Sequence, residues 1–187
     1  MTDTTQLPTH PIGIDADEPL HVTLYVRTNV SAVSRRQIDA VTERLQTLTE
    51  TPLVDEIRVE QWPPKESIAE AGDTNQQSRE QLVGKFEDWA GEHGVSLRPA
   101  IRRQTIPSSL AGVHETESRI RVPVMTLALH TDSTDALPRG VVPYTKHPET
   151  DEPETYTVSD WLAAAEAEAS NMTPGRVRDA DGTQSTV

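Results

Sequence analysis

Cysteine is absent from the 187 residues. That absence removes disulfides, thiol redox catalysis, cysteine nucleophiles and thiolate metal sites together. Aromatic residues are scarce, with a single phenylalanine, three tryptophans and three tyrosines. Lysine is nearly missing as well: Lys65, Lys85 and Lys146 are the only lysines among 17 cations. The longest strongly apolar run, Val122 to Leu129, is far too short to cross a bilayer. The first residues, MTDTTQLPTHPIGIDADEP, have neither a basic start nor an apolar stretch, so no export leader is expected and the expected location is cytoplasmic. None of the nine glycines makes G-x-G-x-x-G or G-x-x-x-x-G-K, which excludes the common phosphate cradles.

What is abundant is acid. Thirty carboxylates against 17 cations give a formal net charge of −13. A chain this acidic, lysine-poor and aromatic-poor resembles the proteins of halophilic archaea, where molar salt screens the self-repulsion that strains a compact state in dilute buffer. Acidity of that origin says little about partners. The length suits one domain with tails, and a core of that size stands without staples.

The periodicity is clearest from His21 to Trp62. Val22, Leu24 and Val26 alternate with Thr23, Tyr25 and Arg27, the period of two of a strand. Ile38, Val41, Leu45 and Leu48 then recur at three- and four-residue steps, and Ser34 with Gln37 has capping-box spacing, so a helix is predicted from about Ser34 until Thr51-Pro52 stops it. Ile57 and Val59 open a second alternating run that ends at Pro63-Pro64. Strand, helix and strand make a right-handed βαβ unit. A polar connection, read as a loop, leads to a second helix with Leu82, Phe86, Trp89 and Ala90 on one face, Ser78 and Gln81 as a capping box and Gly94 as its stop. Val95, Leu97 and Ile101 are spaced as a strand, placed at an edge or a bulge by Pro99. Ser108 to Ser118 reads as a polar loop, and Arg119 to His130 as one buried strand whose inward parity changes across Pro123. Gly140 to Tyr144 is a short antiparallel partner, and Thr157 and Asp160 cap a last helix bearing Val158, Trp161, Leu162 and Ala165. Residues 1–20 read as a disordered arm, 21–170 as a single α/β domain and 171–187 as a disordered tail.

This order, β-α-β, α, an extra strand, then β-β-α around a mixed sheet, resembles the thioredoxin-like fold. Val122-Pro123-Val124 is similar to the segment that carries a cis proline before the third core strand of that family. The redox motif is missing: Thr28 to Ser34 occupies its place without a thiol. A ferredoxin-like arrangement is the alternative, because it too uses βαβ halves. The chain also resembles small proteins of halophilic archaea labelled helix-turn-helix, through HVTLYVR, RVEQWP, FEDWAGEHGVSLRP, RVPVMTLALH and GVVPYT. That label implies a transcription-related role. The helices near Ser34 and Ser78 are separated by a strand and a long loop, not by the short turn of the DNA-reading motif.

One local charge feature stands against the acidic whole. Between Val95 and Arg121 lie five arginines, Arg98, Arg102, Arg103, Arg119 and Arg121, against Glu115 and Glu117, a local +3 that leaves −16 for the remainder. On neighbouring strands these arginines form a basic face for phosphates or an acidic partner; the plainer expectation is that they pair with the chain's own carboxylates. Binding to nucleic acid in molar salt would forfeit counterion-release affinity. His10, His21, His93, His114, His130 and His147 show no H-x-x-H or H-E-x-x-H spacing, and no metal or other cofactor is expected. Ser108, Ser109, His114 and Glu115 have hydrolase residue types, but they share one polar loop without G-x-S-x-G. Trp62 lies on the parity opposite Ile57 and Val59, and it is either sheet-end packing or an exposed anchor for a partner.

These residues favour a non-catalytic interaction or regulatory module with a protein partner or a second copy of itself, through an open sheet edge or the last helix. The alternatives are a transcription-associated DNA-binding protein and a small-molecule enzyme whose site is not visible in the sequence, a reading that a deep polar pocket containing His21, His130 or Glu60 would favour.

Overall fold

The computed structural model describes residues 14, 18–64, 78–107, 116–131 and 137–172. Strand β1 (Leu20–Val26), helix α1 (Ala32–Leu48) and strand β2 (Val54–Gln61) form the βαβ unit, with β1 and β2 parallel and adjacent. Helix α2 (Arg79–Glu92) follows, then strands β3 (Arg102–Pro107) and β4 (Thr116–Arg121). Strand β5 (Met125–His130) returns antiparallel to β1, and β6 (Gly140–Val142) pairs antiparallel with β5. Strands β7 (Tyr144–Lys146) and β8 (Glu154–Tyr156) make a small hairpin before helix α3 (Val158–Met172). The main sheet has the order β2-β1-β5-β6. Because the two strands of the βαβ unit are neighbours, the split βαβ of a ferredoxin-like sheet is not what forms.

Register explains the layers. Val22 and Leu24 of β1 stand opposite Leu129 and Leu127 of β5, and all four are essentially fully buried. This face is covered by α1, through Val41, Leu45 and Leu48, and by α3, through Trp161, Leu162 and Ala165. The two helices touch, and Arg44 joins them by a bidentate pair to Glu166 at 2.7 and 2.9 Å. The alternate face carries Tyr25, whose ring lies 5.9 Å from Phe86 of α2. The capping box of α2, Ser78 with Gln81, is formed, and Gly94 adopts φ +62 just past its end, a left-handed turn without a Cβ penalty.

Several sequence expectations are corrected. Helix α1 begins one turn early because Ser31, in extended conformation, accepts a hydrogen bond from the Ser34 N–H; Ser34 is not the cap. Ile14, within the arm expected to be disordered, is buried in the core, while α3 extends to Met172. Residues 95–101 are not a strand: Ser96 makes one isolated bridge to Thr145, and the chain then turns so that the Ile101 N–H donates to the Leu97 carbonyl at 2.9 Å. The long run from Arg119 to His130 is two strands in two sheets, broken at Val122 to Val124, which removes the need for a parity change within one strand. The polar loop is shorter than expected, since β4 begins at Thr116. Among the described residues the cis peptides precede Pro99 and Pro143, and the bond before Pro123, whose isomer the sequence leaves open, is not one of them.

Trp62 is buried, with its ring 5.5 Å from Tyr25 and 6.1 Å from Phe86. It is a sheet-end wedge under α2 and not an exposed anchor. Val59, expected to alternate inward, is 49% exposed because β2 is an outer strand of the sheet.

Candidate functional site

Strands β3 and β4 form a sheet of their own, an antiparallel ribbon hydrogen-bonded to no other named strand. Its base is fixed from below. Leu97 and Ile101 are buried, the Ser96 and Thr145 backbones bridge, and the Thr145 hydroxyl donates to the Arg98 carbonyl at 2.8 Å. Arg102 Nε donates to the Pro99 carbonyl at 3.0 Å, which closes the turn into β3.

Cross-strand register then sorts the arginines. Arg102 stands opposite Arg121, Arg103 opposite Ile120 and Gln104 opposite Arg119. Since successive side chains alternate and directly opposed ones share a face, Arg102, Gln104, Arg119 and Arg121 lie on one side. All four are exposed. Arg103 and Ile120 lie on the other side, which meets the body of the protein. There Arg103 contacts α2 through Glu87 at 2.9 Å and Glu80 at 3.1 Å, and Ile120 packs against the core. The carboxylates of α2 hold the Arg103 guanidinium still higher than its ordinary range.

The contrast between the two sides is chemical. Arg103 has the internal carboxylate partners that an acidic chain supplies. Arg119 and Arg121 have none among the described residues, and Arg102 is bonded to a carbonyl. Directly opposed like charges on a strand pair are destabilising, so the Arg102–Arg121 pair is a cost that an external anion would remove. Arg98 is exposed at the base, beside a cleft of about 240 Å³ lined also by Glu87, Ala90, Ser96, Leu97 and Arg103. Gln104 was not singled out in the sequence, although the R-R-Q run places it two residues from Arg102 on the same strand face.

The other sequence candidates do not converge in this way. His21 and His130 are cross-strand neighbours on the face that carries Tyr25. His21 Nδ1 is 3.5 Å from Glu56 Oε2 and its Nε2 is 3.6 Å from Asp55 Oδ2, while Glu60 is exposed farther along β2, opposite Tyr25. Among the described residues no group of three or more His, Asp or Glu side chains is arranged to hold a metal ion. His93 caps α2, its ring nitrogen 2.9 Å from the Trp89 carbonyl, and His147 occupies a positive-φ turn. His10, Ser108, Ser109, His114 and Glu115 lie outside the described residues. Among the described residues no helix is long and apolar enough to cross a membrane.

His130 has its pKa pushed down, first by burial and then by Lys85 and His21. In the unfolded chain a histidine titrates near 6.5. As pH falls below that value the unfolded state takes up a proton that the folded state refuses, so stability is present above about 6.5 and declines on acidification, by at most about 1.4 kcal/mol per pH unit. Urea unfolding at pH 7.5 and 5.5 is expected to show a shallower decline in His130→Gln than in the unaltered protein; equal declines would remove His130 as the cause.

Fold and ribbon together define a small mixed α/β protein with an acidic body and one segregated arginine face. No curated protein and no solved structure is significantly similar to the chain. The chain belongs to the family described as "Helix-turn-helix domain", which matches residues 15–170. Among the described residues no two helices are joined by a short turn: β2 separates α1 from α2, and all of β3 to β8 separate α2 from α3.

Proposed function

We propose that the protein is a transcription-associated DNA-binding protein whose phosphate-facing surface is the Arg102, Arg119 and Arg121 side of the β3–β4 ribbon. The observation that carries this reading is the sorting of arginines by strand parity, with Arg103 neutralised by α2 and the opposite side left cationic within a chain of net charge −13. Family membership supports it. With no short-turn helix pair among the described residues, the ribbon is the better-placed element, since a two-stranded ribbon is a known alternative to a helix for entering a groove. Fluorescence anisotropy of a labelled duplex in a potassium chloride series tests the reading. Two or three phosphate contacts predict a slope of log K against log salt of about −2 to −3. No binding at the lowest salt at which the protein stays folded would defeat it.

The order β2-β1-β5-β6 supports a thioredoxin-like scaffold, and without cysteine that scaffold carries contacts and no thiol chemistry. A second reading, a self-associating interaction module, is favoured by the outer edge of β2, where Val59 is exposed. Antiparallel pairing of two copies about Ile57 would set Glu56 of each opposite Arg58 of the other. Sedimentation at high micromolar concentration is expected to show a dimer that Val59→Lys dissociates; a monomeric unaltered protein would end this second reading.

A further inference from the structure

We infer that the ribbon reads base edges in the major groove of duplex DNA, and that Gln104 is its specificity-determining residue, selecting adenine. This rests on the DNA-binding reading above. On the exposed side Gln104 is a neutral amide with Arg119 directly opposite, Arg102 two residues before it on the same strand and Arg121 on the diagonal, while the Ile106–Glu117 rung follows on its other flank. A surface built only to hold phosphates has no use for an amide at its centre, where another cation would add affinity. A glutamine side chain presents one acceptor and two donors, the set that makes a bidentate pair with adenine N6 and N7, and an arginine beside it matches guanine O6 and N7.

The dimensions agree. Paired strands are about 4.8 Å apart, so a two-stranded ribbon fits a major groove about 12 Å wide. Six residues per strand extend about 20 Å at about 3.4 Å per residue. Both long edges of the ribbon are hydrogen-bonded to no other named strand. Arg102 and Arg121, at the end of the ribbon nearest the body, are placed for the flanking phosphates, while the Gln104–Arg119 rung faces two adjacent bases. Double-stranded RNA of the same sequence offers no such access, because its major groove is deep and narrow.

Selection from a random duplex pool should give a consensus containing an adenine beside a guanine. Replacing that adenine by 7-deazaadenine, which removes N7 and leaves pairing intact, should weaken binding about tenfold or more. Gln104→Ala should bind the adenine site and its base-substituted versions alike, with its affinity for non-consensus duplex and its salt slope unchanged. Gln104 is exposed, and circular dichroism of the variant checks that its fold is kept. If duplex binding persists and depends on Arg102, Arg119 and Arg121 but selection yields no consensus, or Gln104→Ala keeps the adenine preference, the base-reading role is overturned while DNA binding stands. Equal selection of double-stranded RNA also overturns it. If no duplex binds at all, the DNA-binding reading falls with it.

Discussion

Replacing Arg102, Arg119 and Arg121 together by glutamate is expected to lower affinity for duplex DNA by about a hundredfold or more, with a small change in unfolding temperature. Each arginine offers a charge-assisted contact, a class of bond worth about 1.5–3 kcal/mol, and the reversed side chains would repel phosphate. The fold should tolerate the change because all three side chains are exposed and none has a carboxylate partner among the described residues. Arg121→Ala alone offers a sharper diagnosis, because Arg121 has no side-chain bond among the described residues, whereas Arg102 closes the turn into β3. It removes one of two directly opposed cations, so stability should rise by a few tenths of a kcal/mol while DNA affinity falls. A site that gains stability when it loses binding is one whose charges serve an external partner. Arg103→Glu should behave in the reverse manner, since that arginine holds the ribbon to Glu80 and Glu87. If the triple variant binds duplex as tightly as the unaltered protein, the arginine face is not the DNA surface.

Trp89→Ala is expected to cost about 3–5 kcal/mol, the range for deleting a large buried aromatic, from a total that for such a domain is about 5–15 kcal/mol. Trp89 is fully buried on α2, its Nε1 donates to the Arg139 carbonyl at 3.0 Å, and its ring meets Tyr144 edge-on at 5.9 Å. Through these contacts one side chain joins α2, the approach to β6 and the small hairpin that braces the ribbon base. Chemical denaturation should show the loss, and Trp89→Phe should recover the packing but not the hydrogen bond. A loss below about 1 kcal/mol would mean that α2 is held elsewhere.

The elements most legible in the sequence were those whose pattern is local. The alternation of Val22 and Leu24, the stripe of α2 with its Ser78–Gln81 box and the cap of α3 by Thr157 and Asp160 all depend on neighbours within a few residues. What escaped depended on distant contacts. Nothing local distinguishes a strand at Val95 to Ile101 from a turn held by Thr145, a residue about forty-five positions away. The Arg119 to His130 run is continuous in hydrophobicity, yet Pro123 lies where the chain passes from one sheet to another, and periodicity carries no record of which sheet a strand joins. The five arginines were visible as a cluster, and their split into two chemical fates was not, because it needs the β3–β4 register and the position of α2.

That split makes the ribbon sensitive to insertion in an unusual way. One additional residue between Ile101 and Arg102 would invert β3, sending Arg102 and Gln104 toward the carboxylates of α2 and turning Arg103 outward, with almost no change in composition or charge. Affinity for a nucleic acid would then act as a gauge of strand phase, reporting a half-turn of backbone that bulk spectroscopy would miss.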